Sequence, residues 1–198
     1  MDIRAAQSSD LPRVAELLGQ VFAADPVLLE YVGYPTDPER VLTELFALQL
    51  DTFYLPTGEV DLAWSGDELL GAALWAAPGT SENITRQLPT LARLLGRHLP
   101  RALRLQRSWS EATPRFPHWY LYTLAVSPQA RGRGVGTALL DHGIDRAEEM
   151  PIYLEATSER AAALYTRLGF VRLGTVPAPT SIDEIGMWRP GEAQSLAS

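Results

Sequence analysis

Between residues 118 and 156 the pattern of the chain changes period twice. "HWYLYTLAV" is a strand-like run, "SPQARGRGVG" breaks into a loop, residues 134–149 repeat at helical spacing, and "PIYLEA" returns to strand. A strand, a helix and a second strand in that order form a crossover unit, which implies a parallel strand pair covered by a helix. Everything else in the chain has to be built around that pair.

Upstream the pattern is antiparallel. "EVDLAWS" and "ELLGAALWAA" are strand-like and are separated by the turn "SGD", a hairpin signature. The sheet is therefore mixed. "IRAA" supplies a first short strand, and the next segment sets Leu11, Val14, Leu17, Leu18, Val21 and Phe22 on one helical face, with Ser9 or Asp10 as its cap. A second helix begins where Asp37 caps and Pro38 takes the first helical position, and its apolar face is Val41, Leu42, Leu45, Phe46 and Phe53. Two short helices are expected in an insertion at about 82–112, divided by Gly96 and Pro100. A helix over "SERAAALYTRLGF" ends at Gly169, and "FVRLGTV" and "EIGMWR" complete the sheet. With 46% hydrophobic residues, the chain is read as one α/β domain over 1–190, with 191–198 as a flexible tail.

Composition narrows the chemistry. There is no cysteine, so disulfides, thiolate metal sites and a cysteine acyl-enzyme are excluded. All 17 basic residues are arginine, which removes lysine Schiff-base chemistry and points to a GC-rich bacterial genome. The three histidines lack metal-ligand spacing, so no metal is expected. A net charge of −7 argues against nucleic acid as a partner. No apolar run is long enough to span a membrane and the N-terminus lacks the regions of a signal peptide, so a cytoplasmic protein is expected. Arg86, Arg93, Arg97, Arg101, Arg104 and Arg107 give the insertion +6 and leave −13 for the rest; the preferred reading is the wet face of two amphipathic helices.

Gly132, Gly134 and Gly136 alternate with Arg131, Arg133 and Val135, and Thr137 follows. A nucleoside-triphosphate loop would need a lysine, which is missing. A dinucleotide fingerprint would place a third glycine at Thr137 and its first glycine close behind the strand, whereas Ser127 to Arg131 intervene. What remains is either an ordinary glycine-rich turn or a pyrophosphate cradle in which the amides of Arg131 to Thr137 point at one anion.

The segment from about Trp119 to Arg172 resembles the GNAT superfamily of N-acyltransferases. The likeness rests on "LAVSPQARGRGVGTALL", whose Arg131, Gly134 and Gly136 match the family's signature, and on "LYTRLGF", a tyrosine four residues before Gly-Phe. The helical piece before the central strand, with "AADP", is similar to the puromycin N-acetyltransferase branch. The resemblance implies a mainly antiparallel sheet splayed between the fourth and fifth strands and acetyl-CoA as acyl donor. Its pyrophosphate would lie on the amides of Arg131 to Thr137, and its pantetheine arm beside Leu124, Ala125 and Val126. Ser158 stands where many relatives carry a cofactor-binding asparagine.

By the same resemblance, a neutral amine attacks the thioester directly. The backbone N–H at or near Val126 stabilises the oxyanion, and Tyr165 gives a proton to the departing sulfur. Glu155, at a strand end beside the crossover, is the leading candidate for the base, with Glu111 and His118 behind it. Phe22, Asp25, Tyr31, Tyr34, Trp75 and Trp109 are the candidate lining of an aromatic, partly acidic acceptor pocket suited to a cationic amine. The expected partner is a small-molecule amine; acetylation of protein N-termini, or a non-catalytic acyl-CoA-binding module, are the alternatives. A homodimer stays open.

Overall fold

The computed structural model describes residues 1–177 and 180–191. Seven strands form one sheet: β1 (Asp2–Ala5), β2 (Glu59–Ser65), β3 (Glu68–Ala76), β4 (Trp119–Val126), β5 (Ile152–Ala156), β6 (Val171–Thr175) and β7 (Ile185–Arg189). Their order in space is β1-β2-β3-β4-β5-β7-β6. All neighbouring pairs are antiparallel except β4 and β5. That exception is the crossover, bridged by a helix as a parallel connection requires.

The N-terminal helices α1 (Leu11–Phe22), α2 (Pro26–Val32) and α3 (Pro38–Gln49) are followed by a π-helical turn at Leu50–Tyr54 and a single turn, α4 (Leu55–Thr57). The expected cap of α3 is present, Asp37 accepting from the Arg40 amide at 3.1 Å. The expected cap of α1 is not: the Asp10 carboxylate turns back to Arg4 at 2.7 and 3.0 Å and to the Gln7 amide at 2.8 Å. Helix α2 is absent from the sequence expectation. Asp25 caps it through the Leu28 amide at 2.9 Å, with Pro26 in the first turn.

The insertion contains α5 (Ile84–Leu95) and α6 (Leu99–Ala112), separated at Gly96, whose φ of +50° ends α5. Three of its arginines form ion pairs: Arg93 with Glu44, Arg101 with Glu30 and Arg107 with Glu111. Two of these fasten the insertion to α3 and α2, so the expectation of a merely solvated face is too simple. Helices α7 (Val135–Ala147) and α8 (Glu159–Arg167) lie on the other side of the sheet. Gly169, with φ +87°, ends α8 as expected.

Two apolar layers result. Val14, Leu18, Leu42, Phe46, Leu50, Leu62 and Leu74 fill the layer under α1, α3, α5 and α6. Ala63, Leu70, Trp75, Leu121, Leu139, Leu154 and Phe170 fill the layer under α7 and α8. The second layer is closed by a buried ion pair, Arg146 to Asp61 at 2.7 and 2.9 Å, with the guanidinium also over the rings of Trp75 and Trp119. Among the described residues no helix is long and apolar enough to cross a membrane. The tail expected at 191–198 lies, apart from Gly191, outside the described residues.

Candidate active site

β4 and β5 pair only at Trp119↔Ile152 and Tyr120↔Tyr153. Beyond Tyr120 the two strands part, and among the described residues one edge of β4 has no strand partner from Leu121 to Val126. β4 is also bulged: Leu74 faces Thr123 and Trp75 faces Leu121, which leaves Tyr122 as the extra residue. Successive amides of a strand point to opposite edges. Since the Ser127 amide donates to Leu70 O on β3 at 2.8 Å, the amides of Val126 and Leu124 point to the open edge.

The glycine loop lies at the end of this edge. Gly132 and Gly134 have φ of +77° and +80°, a region that L-residues enter at a cost, and a Cβ at either would meet nothing within 4 Å. The first intrahelical bond of α7 is Ala138 N–H to Gly134 O at 3.0 Å, so the amides of Val135, Gly136 and Thr137 have no partner within the helix. Val135 turns its side chain into the core and offers only its amide. This donor set suits a pyrophosphate: successive amides at a helix N-terminus, open space where a Cβ would stand, and exposed guanidiniums at Arg131 and Arg133. Ser158 caps α8 by accepting from the Ala161 amide at 3.2 Å.

A cleft of about 210 Å³ opens in the splay. Its lining includes Phe22 and Asp25 from the α1–α2 corner, Trp109 from α6, Tyr120 to Leu124 from β4, Glu155 from β5, Tyr165 from α8 and Glu184 just before β7. Three carboxyls therefore share one small space. Burial pushes Glu155 up to about 7, against the Tyr120 hydroxyl, which donates to Oε2 at 2.8 Å, and the neighbouring Tyr153 hydroxyl, while Glu184 adds repulsion. Oε1 of Glu155 is buried and makes no hydrogen bond of good geometry among the described residues. Burial also raises Glu184, against a bond from Trp109 Nε1 at 2.6 Å, and raises Asp25, against the Leu28 amide. Tyr165 is pushed up to about 12 by burial and so keeps its proton at neutral pH.

The structure thus brings Phe22, Asp25, Trp109, Leu124, Glu155 and Tyr165 to one cleft. Tyr31 stacks behind Trp109, ring centres 5.9 Å apart, and lines a second chamber instead. Two substrate candidates are corrected. Trp75 is fully buried on the opposite face, packed on Gly143 beneath α7, because the alternation of β3 turns it away from the cleft. Tyr34 is 63% exposed in the loop after α2 and lines neither cavity. The weaker base candidates also lie elsewhere: Glu111 is exposed and paired with Arg107, and His118 packs edge-on against Tyr153 and Trp188. Glu184, Tyr120 and Tyr122 are cleft residues that sequence reasoning missed. Glu184 enters only because β7 inserts between β5 and β6, setting the start of β7 against the end of β5, Ala156↔Ile185.

A model of the acetyltransferase (GNAT) family matches residues 29–170, and the chain belongs to that family. A crystal structure from Corynebacterium glutamicum, described as histone acetyltransferase HPA2 and related acetyltransferase, is 40% identical, with a TM-score of 0.81 over 98% of both chains. Mycothiol acetyltransferase of Paenarthrobacter aurescens is 38% identical over 76 residues, 34% of this chain and 24% of that protein. N-alpha-acetyltransferase RimI of Mycobacterium tuberculosis is 39% identical over 64 residues, 31% of this chain and 40% of that protein. Arylalkylamine N-acetyltransferase 2 of Aedes aegypti shares the fold, with a TM-score of 0.65 at 17% identity over 94% of this chain and 96% of that one. The chain carries an acetyltransferase domain of this family, which generally takes the acyl group from acetyl-CoA, and it spans only 18–24% of the length of the mycothiol acetyltransferases it matches.

Proposed function

We propose that this chain is an acetyl-CoA-dependent N-acetyltransferase acting directly on the primary amine of a small molecule. The observation that carries the reading is the convergence of Glu155, raised to about 7, a protonated Tyr165 and the open edge of β4 on one cleft. When bound, acetyl-CoA supplies an acyl group activated as a thioester. The free amides of Val135, Gly136 and Thr137, with the glycine loop before them, would hold its pyrophosphate at the start of α7, and the open edge at Leu124 and Val126 would pair with its arm, whereas the main chain of Ala125, a sequence candidate for the same role, is turned to β3.

The residues then divide the work. Glu155 accepts a proton from the incoming ammonium, directly or through one water. The nitrogen would bond to the acyl carbon as the carbon–sulfur bond breaks. The Val126 N–H, fixed by the strand, stabilises negative charge developing on the acyl oxygen at no reorganisation cost. Tyr165 donates its proton towards the departing sulfur, and the products are an N-acetyl amide and CoA thiol. Asp25 and Glu184 concentrate a cation in the cleft, and Phe22 and Trp109 offer ring surface to it. A cleft of this size, roofed by aromatic side chains, favours a small amine over a folded protein terminus. The test is thiol release from acetyl-CoA across small amines and N-terminal peptides: release with small amines supports the reading, and release confined to peptides replaces it.

A further inference from the structure

A second chamber of about 600 Å³ adjoins the cleft and shares Leu28, Trp109, Tyr120 and Tyr122 with it. It is larger than a simple amine requires, and its walls are unusually specific. Tyr31, Phe53, Tyr54 and Tyr122 line it, with Tyr54 stacked on Tyr122 at 5.2 Å between ring centres. Set among these rings is Glu82, whose carboxylate accepts from Gln87 Nε2 at 2.7 Å and Gln106 Nε2 at 2.9 Å. Both donors are neutral, and among the described residues no ion pair reaches Glu82, so its charge is uncompensated where burial makes charge costly. Beside it, Gln106 Oε1 is buried with no partner among the described residues. The chamber's other charged lining residues are Arg115, which is exposed, and Arg107, which is engaged by Glu111.

We infer that the acceptor is an elongated dication whose reacting amine enters the cleft at Glu155 while a second ammonium group is held by Glu82 and the surrounding rings in the adjoining chamber. The inference rests on the acetyl-transfer reading and adds its substrate class. An ammonium between aromatic faces and a carboxylate gains from both, and it supplies the positive charge that the two amide donors to Glu82 do not, and a donor for Gln106 Oε1. The two carboxylates flank the same rings: the phenols of Tyr54 and Tyr122 are held up by burial and by the charges of both Glu82 and Glu155. A spacer passing Tyr120 and Tyr122 is best apolar or aromatic.

The test is calorimetric binding of para-xylylenediamine and of para-methylbenzylamine, which has the same ring and one ammonium fewer, to the purified protein without acetyl-CoA. The expected result is affinity for the diamine at least about tenfold tighter in the wild type, falling to within about twofold in Glu82→Gln and partly restored in Glu82→Asp. In thiol-release assays the loss falls on KM for the diamine rather than on kcat. Equal affinity for the two ligands in the wild type, or a preference that survives Glu82→Gln, overturns the assignment. Diamine binding that depends on Glu82 but gives no thiol release supports the chamber as a dication site and contradicts the acetyl-transfer reading instead.

Discussion

The hydroxyl of Tyr120 donates 2.8 Å to Glu155 Oε2 at the point where β4 and β5 separate, while Oε1 of the same carboxyl is buried and makes no hydrogen bond of good geometry among the described residues. The Tyr120 bond thereby orients the Glu155 carboxyl in the cleft. In pH profiles of kcat/KM, activity is expected to rise with an apparent pKa near 7 as Glu155 ionises. Glu155→Gln should lower kcat/KM by roughly 10²–10⁴ and remove that limb. The amine's own ionisation adds a more alkaline limb in both proteins.

The same bond carries a signed prediction. Because the Tyr120 hydroxyl stabilises the ionised carboxylate, Tyr120→Phe should raise Glu155 further and move the acid limb upward by about one pH unit at most. A downward shift would show that the titrating group is not Glu155.

Stability should respond to the same carboxyl. Glu155 ordinarily ionises at 4.5 and is held up to about 7 by burial, so between those values the folded protein binds more protons than the unfolded chain. Folding stability therefore falls as pH rises through this window, and the raised Asp25, Glu82 and Glu184 add to the fall. Glu155→Gln removes its share. In urea titrations the variant should gain on the wild type between pH 4.5 and 8 by about 3 kcal/mol, whereas a flat difference would mean an ordinary carboxyl.

Tyr165 is buried and retains its proton to about 12, so its hydroxyl is a standing donor. Tyr165→Phe should lower kcat by about 10²-fold while the affinity for acetyl-CoA, measured by calorimetry, stays within about threefold. Equal losses in both would reduce Tyr165 to a packing residue against Phe170.

Gly134 occupies φ +80° with nothing within 4 Å of a Cβ position. Gly134→Ala should therefore cost about 1 kcal/mol through backbone strain and place a methyl group where the phosphate approaches. The rise in melting temperature that acetyl-CoA gives the wild type should shrink in the variant.

Much of this was legible in the amino acids. The hairpin of β2 and β3, the division of the insertion at Gly96 and the crossover from β4 to β5 follow from local periodicity, which the sheet preserves. The glycine loop and Tyr165 were readable because each sits in a contiguous motif. What escaped depends on contacts between distant segments. Trp75 was assigned to the wrong side because alternation shows that a residue faces a layer without showing which one. Glu184 joins the cleft only through the insertion of β7 beside β5, and Glu82 reaches its chamber only when α5 and α6 fold back over the π-helical turn. Helix α2 was hidden because Asp25 and Pro26 looked like the end of one helix rather than the start of another.

The proposed reaction is transfer of an acetyl group to an amine in this cleft with Glu155 as the base. It is tested most directly by measuring CoA thiol release and the N-acetylated product, by mass spectrometry, with para-xylylenediamine across the pH range in the wild type and in Glu155→Gln. Stoichiometric thiol and amide in the wild type, with a limb near pH 7 that the variant lacks, is the predicted result. Stoichiometric product in both proteins with the same pH profile would contradict it.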